Sequence, residues 1–324
     1  MSSAPNPSGS TASLPSRQTP LPAATPAPYE GMQKYMSPSL FQPHRARQAI
    51  RDAHAKKIPP LIGYYAALTS VAVTRVLAPL GFDCVWIDWE HSSCNVETMT
   101  DMVHTVMLAS GGRTIPWVRV PGHDHAAIGY ALDAGASIVV PQVETVEQAK
   151  HVVSAAKFGS KRNGTRSAPP FRLIPGVTDG SADGVRDVWQ NWNDSAAIMI
   201  QIETLEGINN LDAILTEVPD IDVVWLGALD ARVSMNLKSD WNYILQGPQE
   251  PEWLAALAKY DAVLKKHDKP RGGFNLAPPD TWTEVDRGYS FFLHSIDFMK
   301  LISMKGDADA AKAAVASWAV NAEK

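Results

Sequence analysis

The sequence predicts a (β/α)8 barrel, a TIM barrel of the α/β class, with an extra helix at the C-terminus. Short apolar runs rich in β-branched residues alternate with amphipathic segments of helical period, and this strand-then-helix unit occurs eight times. Strands that are apolar along their whole length are typical of parallel sheets covered on both faces. A doubly wound open sheet uses the same units, but it usually has fewer of them, and no GxGxxG follows the first strand here.

The predicted elements follow in order along the chain. The strands are 61–68, 84–90, 115–121, 137–143, 197–203, 222–230, 271–275 and 289–295. The helices that follow them are 71–81, 95–110, 124–135, 146–158, 207–215, 251–267, 279–288 and 296–303. Asn95 is a typical N-cap residue, and Gly81 is a typical residue at a helix end. An alanine-rich segment, 307–320, predicts the extra helix, which either caps its own barrel or packs on a neighbouring copy.

The first 36 residues differ in composition from the rest of the chain. They are rich in Ser, Pro, Thr and Ala and contain no acid before Glu30, so they cannot bury enough apolar surface to fold. We therefore expect a disordered tail over 1–36 and one catalytic barrel domain over 37–324. An organellar transit peptide is the alternative for the tail, but a single arginine before position 30 argues against it, and we expect a cytoplasmic protein.

Composition and charge exclude several classes of function. A net charge of -5 provides no basic surface for nucleic acid, and no apolar run approaches the eighteen residues of a membrane span. Two cysteines, Cys84 and Cys94, are too few for a disulfide framework. His123 and His125 are spaced i, i+2 in a loop that opens a helix, which predicts a solvated turn rather than a metal pair. Neither a GxxxxGK[ST] loop nor a GxSxG elbow is present, so we expect an intracellular protein whose substrates are small molecules.

Polar residues gather where the predicted strands end, which is where the active sites of such barrels lie. Strand two ends in Asp88, Glu90 and His91 within VWIDWEH, and strand three ends in Arg119. The later strand ends supply Gln142, Glu144, Gln201, Glu203, Asp230, Asn275 and His294. Each one alone is weak support for a site because strand ends are polar by default, but together they indicate one.

Glu203 and Asp230 predict a metal site. They end neighbouring strands, which lie about 5 Å apart, so both carboxylates can point at one ion. Carboxylates without histidine or cysteine beside them suit Mg²⁺ or Mn²⁺, which keep waters and leave positions open for a chelating substrate. The alternative is an acid pair neutralised by Arg or Lys. The backbone N–H groups of Ala228, Leu229 and Asp230 are expected to bind the substrate carboxylate.

Five motifs, in this order and spacing, resemble the HpcH/HpaI aldolase family of the pyruvate/phosphoenolpyruvate barrel superfamily: IDWEH, VRVPG, IVVPQV, IQIET and LGALD. The similarity spans roughly residues 38 to 305. It implies a metal-dependent carbon–carbon lyase that acts on 2-oxo acids and assembles as a homo-oligomer, a hexamer by analogy with relatives. It assigns metal binding to Glu203 and Asp230, contact with the enolate oxygen to Arg119, and proton transfer to His91 paired with Asp88.

The resemblance leaves two reactions and a silent scaffold open. The string after strand six is GALDAR, whereas most aldolases of the family carry GPxDL(S/A), which puts their usual extended hydroxy-oxo diacid in doubt. The runs IDWEHSSCNVETMT and NGTRSAPPFRLIPG resemble instead a branch of the same family that acts in secondary metabolism. That branch decarboxylates oxaloacetate with Mg²⁺ and adds the pyruvate enolate to a 2-pyrone to build a benzoate. The second reaction is class II aldolase cleavage of 4-hydroxy-2-oxo acids to pyruvate and an aldehyde, and the third possibility is a catalytically silent barrel.

Four further residues are expected to bind the substrate. Gln201 ends strand five beside the predicted metal site. Trp86 lies two residues before the end of strand two and faces the same side as Asp88. Together with Pro169 and Phe171 of the SAPPF loop, it is expected to form an apolar wall for a flat pyrone. The alternative for Trp86 is an aromatic residue of the barrel core.

Overall fold

A computed structural model of the chain describes residues 30–37, 39, 41–159, 164–181, 183–240, 243, 247, 249–283 and 286–321. Most of the predicted tail, residues 1–29, lies outside these ranges and stays a prediction. Met32 and Tyr35, which fall inside the predicted tail, are buried in and beside a 3-10 turn, Gln33–Tyr35. We therefore propose that the barrel domain begins near residue 30 rather than at residue 37.

Eight parallel strands close into a barrel in sequence order, which confirms the predicted fold. The strands are β1 Leu61–Ala66, β2 Cys84–Asp88, β3 Ile115–Arg119, β4 Ser137–Val140, β5 Ile198–Ile202, β6 Val223–Leu226, β7 Arg271–Phe274 and β8 Tyr289–Ile296. The barrel closes between β1 and β8, where Leu61 is paired with Phe291. Most strand residues are buried, as their continuous apolar runs predict.

Ten α-helices accompany the barrel in the described chain. They are α1 Ala46–His54, α2 Val71–Leu77, α3 Val96–Ala109, α4 His125–Asp133, α5 Val146–Ala156, α6 Val188–Ser195, α7 Leu205–Glu217, α8 Ala228–Ser234, α9 Pro251–Lys266 and α10 Asp297–Asn321. The helices after β1 to β5 each begin with a side-chain N-cap, formed by Ser70, Asn95, Asp124, Thr145 and Thr204. These caps fix where each loop turns into helix, and so they stabilise the loops at the carboxyl ends of the strands.

Several elements differ from the prediction. The sequence patterns do not predict α1, α6 and α8, and the predicted sixth strand ends earlier because Gly227 is the N-cap of α8. The predicted helix 279–288 is wrong: 3-10 turns lie at Pro279–Thr281 and Asp286–Gly288. Residues 277–281 are all exposed, so this segment has no buried apolar face that would stabilise a helix.

The inside of the barrel and the layer between strands and helices are separate apolar clusters. Large aromatic side chains fill the inside, with the Trp86 and Trp225 rings 4.9 Å apart and the Trp117 and Phe291 rings 5.5 Å apart. Because successive residues of a strand face opposite sides, Trp86 and Asp88 both face inward. The polar side chains at the carboxyl ends of the strands therefore pack directly on the aromatic side chains inside the barrel.

Helix α10 joins the predicted eighth helix and the predicted extra helix into one element of 25 residues. Its described side chains from Lys300 onward are exposed, including Leu301 at 52%, Ile302 at 64% and Trp318 at 70%. The part of the helix from Lys300 onward therefore does not cap its own barrel, whereas Phe298 and Met299 in the first turn pack against the barrel interior. None of the helices that the structure describes combines the length and the hydropathy needed to cross a membrane.

Candidate active site

The carboxyl ends of β2 and β3 bring Asp88 and Arg119 together in a two-point ion pair. The two residues are register partners in the sheet. Arg119 Nε lies 3.0 Å from Asp88 Oδ1, and Nη2 lies 2.7 Å from Oδ2. The Arg119 side chain is 9% exposed and the Asp88 side chain is 2% exposed. Two parallel charge-assisted hydrogen bonds in a buried setting fix the plane of the guanidinium.

Tyr65 of β1 completes this cluster. Its phenol donates a 2.6 Å hydrogen bond to Asp88 Oδ2 and accepts one of 2.6 Å from Arg119 Nη2. The backbone N–H groups of Glu90 and His91 donate to Asp88 Oδ1. Burial raises the pKa of the Asp88 carboxyl, but the hydrogen bonds and charge of Arg119, helped by Tyr65 and the His91 N–H, hold the pKa below its usual value. Asp88 is therefore a fixed, ionised acceptor at neutral pH.

The predicted couple of the His91 imidazole and Asp88 is not formed. Asp88 contacts His91 only through the backbone, because Arg119 and Tyr65 already occupy the carboxylate. The His91 side chain is 67% exposed, and its Nε2 lies 3.8 Å from Glu90 Oε2. The same Glu90 oxygen lies 3.2 Å from Arg119 Nε. Proton transfer by His91 stays a prediction, with Glu90 as the acid beside it.

Glu203, directly after β5, is the buried acid of a second cluster. It is 4% exposed, and its Oε1 accepts a hydrogen bond from Gln201 Nε2 at 3.0 Å. Its Oε2 accepts one from the backbone N–H of Gln142 at 2.9 Å, which Gln142 presents from a left-handed conformation with φ 51°. Burial raises the pKa of Glu203 to about 7, and the charges of Asp230 and Glu90 act in the same direction.

Asp230 lies in the first turn of α8 and not at the end of β6, and it is exposed. A Cβ atom at Gly227 would lie 2.4 Å from Glu203 Oε1, so glycine lets this helix begin directly against the carboxylate. Ala228 and Leu229 belong to the same first turn, where backbone N–H groups have no acceptor within the helix. Their binding of a substrate carboxylate stays a prediction.

The donor chemistry around Glu203 fits a hard divalent cation. Burial raises the pKa of Glu90 as well, with the charge of Asp230 among the contributions in the same direction. Gln201 Oε1 is buried and has no hydrogen-bond partner among the described residues. No three His, Cys, Asp or Glu side chains gather as a metal cage in the described ranges. Mg²⁺ is commonly held by one or two carboxylates with waters and substrate oxygens, so Glu203 and Asp230 are a sufficient pair.

Trp86 is an aromatic residue of the barrel core, which was the alternative to a substrate contact. It is 1% exposed, and its ring packs 4.9 Å from that of Trp225 and 5.9 Å from that of Tyr65. The Arg119 Cζ lies 5.9 Å from the Trp86 ring centroid. Trp86 therefore supports the arginine and presents no free face to a substrate.

Pro169 does not lie near Glu203 within one chain. It is buried in the connection between α5 and β5, which leads to the amino ends of the strands. In the same connection Arg166 pairs with Asp133 at the end of α4, at 2.5 Å. The expected wall therefore fails for Pro169 because an α-to-β connection lies at the opposite end of the barrel from the strand ends. The Phe171 side chain lies outside the described part of the structure.

Arg232, the last residue of the unusual GALDAR string, is fully buried, and its hydrogen bonds go to Glu250 and Lys238 rather than to Glu203 or Asp230. Its Nη2 lies 2.6 Å from Glu250 Oε1 and 2.6 Å from the carbonyl oxygen of Lys238. Its guanidinium carbon lies 5.1 Å from the ring centroid of Trp253. The departure from the family string therefore fastens α8 to the start of α9, and it places no additional charge at the Glu203 cluster.

Sequence patterns do not single out Tyr65, and they identify Gln142 and Glu144 only as strand ends. Glu144 Oε1 accepts from the backbone N–H of Glu203 at 3.2 Å, and its Oε2 accepts from the Thr204 hydroxyl. A tyrosine within an apolar strand carries no polar signal, because tyrosine is a common strand residue. Inward parity on β1 is the one available indication for Tyr65.

Solved structures with the same architecture include macrophomate synthase, which superposes with a TM-score of 0.78 at 32% identity over 88% of this chain and 94% of that chain. An HpcH/HpaI aldolase/citrate lyase family protein from Burkholderia cenocepacia superposes with a TM-score of 0.68 at 25% identity over 82% and 98%. Among curated proteins, 4-hydroxy-2-oxo-heptane-1,7-dioate aldolase of Salmonella dublin is 30% identical over 232 residues, 70% of this chain and 80% of the relative.

The model of one protein family matches residues 61–246. This range includes the predicted site residues on or directly after β2, β3 and β5 and in α8, which are Trp86, Asp88, His91, Arg119, Gln201, Glu203, Ala228, Leu229 and Asp230. This range covers more than half of the chain, and the curated relative is 30% identical over 70% of the chain. The chain belongs to the HpcH/HpaI aldolase/citrate lyase family.

Proposed function

We propose that the protein is a divalent-metal-dependent carbon–carbon lyase that converts oxaloacetate to a pyruvate enolate and adds it to a 2-pyrone, as a macrophomate synthase-like enzyme. The observation that carries the proposal is the contrast between two neighbouring clusters. Glu203 has only amide donors and repels Asp230 and Glu90. Arg119 is held as a fixed cation by Asp88. Such a site attracts a metal on one side and holds a developing anion on the other.

Each residue has a defined part in this chemistry. Glu203 and Asp230 would hold Mg²⁺ or Mn²⁺, which when bound supplies Lewis-acid polarisation of the 2-oxo group. Cleavage of the C3–C4 bond of oxaloacetate releases CO2 and leaves its electron pair in the enolate. Arg119 holds the negative charge on the enolate oxygen without transferring a proton, because a guanidinium stays protonated. Addition to the pyrone, followed by loss of a second CO2 and of water, would give the benzoate.

Cleavage of a 4-hydroxy-2-oxo acid is the second candidate, supported by the 30% identity to the heptane-dioate aldolase. It forms the same pyruvate enolate, but it releases an aldehyde and requires a base for the 4-hydroxyl proton. His91 is exposed next to Glu90, where it can accept such a proton. The two reactions therefore differ in their electrophile and share Glu203, Asp230 and Arg119.

The experiment compares two product assays on the full chain with Mg²⁺ and with EDTA. Release of CO2 from oxaloacetate, increased by a 2-pyrone and giving a benzoate, supports the first candidate. Release of pyruvate from 4-hydroxy-2-oxo acids, without a pyrone product, supports the second. No metal-dependent turnover of either substrate would contradict the proposal and favour a silent barrel. Glu203→Gln is expected to abolish turnover in whichever assay responds.

We also propose a homo-oligomer, with a hexamer as the expected order and the cytoplasm as the expected location. The exposed apolar side chains of α10 support assembly. Only the first turn of this helix packs on its own barrel, through Phe298 and Met299, so a single copy leaves Leu301, Ile302 and Trp318 in water. Light scattering on the purified full chain measures the mass directly. A monomer at micromolar concentration would contradict this part of the proposal.

A further inference from the structure

We propose that Tyr65 is a positioning residue that fixes Arg119 so that one terminal nitrogen, Nη1, is left to hold the enolate oxygen. The inference rests on the proposed function and concerns a residue to which that function assigns no part. Two of the three guanidinium nitrogens of Arg119 already have partners. Nε donates to Asp88 Oδ1, and Nη2 donates to both Asp88 Oδ2 and the Tyr65 phenol.

Three of the five N–H groups of Arg119 are therefore engaged in directions fixed by two different strands. A guanidinium carries five N–H donors in a rigid plane, so the two that remain both belong to Nη1. Nη1 has no hydrogen-bond partner among the described residues. The side chain retains 9% exposure, so part of it is open to the site. Without the phenol, Nη2 would carry an unpaired N–H as well, and two nitrogens would compete for the substrate oxygen.

The phenol is well placed to keep this geometry through a reaction. The Tyr65 ring packs against the rings of Trp86 and Phe274, with centroids 5.9 Å and 6.0 Å away, so the hydroxyl has little freedom to move. Its O–H donates to Asp88 while its oxygen accepts from Arg119, which requires a protonated phenol. Burial raises the pKa of Tyr65 far above its usual range, so the proton stays in place at any working pH.

The chain offers a matched control one residue earlier on the same strand. Tyr64 is also buried, but it belongs to the layer between barrel and helices and packs against Phe82 with ring centroids 5.4 Å apart. Tyr64→Phe and Tyr65→Phe remove the same atom from the same strand on opposite faces. A general effect of losing a buried hydroxyl appears in both variants, whereas an effect through Arg119 appears only in Tyr65→Phe.

The test compares two probes in the presence of Mg²⁺, measured by calorimetry on the full chain. Oxalate is a planar dianion that mimics the pyruvate enolate, whereas pyruvate has the charge distribution of the ketone ground state. We expect Tyr65→Phe to weaken oxalate binding by about tenfold and to leave pyruvate binding within about twofold. The kcat for oxaloacetate should fall by about tenfold with little change in KM, and Tyr64→Phe should match the wild type.

A double-mutant cycle with Arg119→Lys keeps the proposal falsifiable if either single variant loses stability. Because Tyr65 acts through Arg119, adding Tyr65→Phe to Arg119→Lys should cause no further loss of oxalate affinity. Additive losses, equal losses of oxalate and pyruvate affinity, or unchanged oxalate binding in Tyr65→Phe would each overturn the role of Tyr65. A wild-type protein that neither binds oxalate with Mg²⁺ nor turns over a 2-oxo acid would instead overturn the proposed function, and the positioning role with it.

Discussion

Replacing Glu203 by glutamine should stabilise the metal-free protein at alkaline pH, because the wild type buries a carboxylate that lacks a cation. The pKa of Glu203 is raised from 4.5 to about 7, and an ionised Glu203 therefore destabilises the fold by about 3 kcal/mol. Glutamine keeps the size of the side chain and one acceptor for the Gln142 N–H. Its amide can donate to Gln201 Oε1, the buried oxygen that has no partner among the described residues.

The sign of the pH dependence follows from proton binding. Between the unfolded pKa and about 7 the folded state binds more protons than the unfolded state, so wild-type stability from this group is full at low pH and is lost as pH rises through the folded pKa. We therefore expect Glu203→Gln to exceed the wild type by about 3 kcal/mol at about pH 8.5, and by under about 1 kcal/mol at about pH 5.

Urea unfolding with EDTA at both pH values measures these differences. Glu206→Gln is the matched control, since it removes an exposed carboxylate three residues further along and should change stability by less than about 1 kcal/mol at either pH. Adding Mg²⁺ should raise the stability of the wild type and leave Glu203→Gln unchanged. Equal stabilities at alkaline pH, or an advantage of Glu203→Gln that grows toward acid pH, would refute the reasoning.

Three further predictions concern other parts of the molecule. Asp88→Asn leaves the buried Arg119 charge without its carboxylate, so urea unfolding at neutral pH should show a free energy of unfolding lower by about 3–5 kcal/mol. This difference should shrink as pH falls through the depressed folded pKa of Asp88, because the wild type then loses the same contribution. Trp86→Phe should lower stability by about 1–3 kcal/mol in the same assay and leave KM within about twofold, whereas a selective rise in KM would indicate a substrate contact. Ending the chain at residue 299 should lower the mass of the oligomer in light scattering, and an unchanged mass would show that α10 does not hold the copies together.

The strands could be predicted from sequence because a continuous apolar run has one consequence in a barrel, burial on both faces. The missing helices lack such a signal. Helix α1 buries mainly alanines and Arg47, whose charge is compensated by Asp222 at 2.6 Å from a distant part of the chain. The segment 279–288 carries residues typical of a helix start, but residues 279–281, which form a 3-10 turn, are all exposed. Sequence patterns therefore predict an element only where its burial is recorded in the chain itself, as a continuous apolar run in a strand or as an apolar helical period in a helix.

Part of the site could be predicted for a related reason. The period of two along a strand fixes which side chains face inward, and the barrel fixes which strand ends meet, so Asp88, Arg119 and Glu203 followed from the pattern. Which groups then pair depends on competition in three dimensions. Tyr65 and Arg119 occupy the hydrogen-bonding positions of the Asp88 carboxylate, which the family resemblance assigned to His91. A tyrosine within an apolar strand gives no polar signal that would predict this pairing.

The two acid clusters divide the work of the proposed reaction according to how each acid is neutralised. Asp88 has a full guanidinium partner and further donors, so its charge is fixed across neutral pH and it can only hold Arg119 in place. Glu203 has neutral donors and acidic neighbours, so a proton or an added cation must compensate it. The proposed reaction uses both kinds of acid: Asp88 keeps its charge and holds Arg119, and Glu203 takes up the cation. Asp88 can hold Arg119 in this way only while the guanidinium keeps its proton. Burial lowers the pKa of Arg119, but the hydrogen bonds and charge of Asp88 and the charge of Glu90 raise it above its usual value. The pairing with Asp88 therefore opposes loss of the proton.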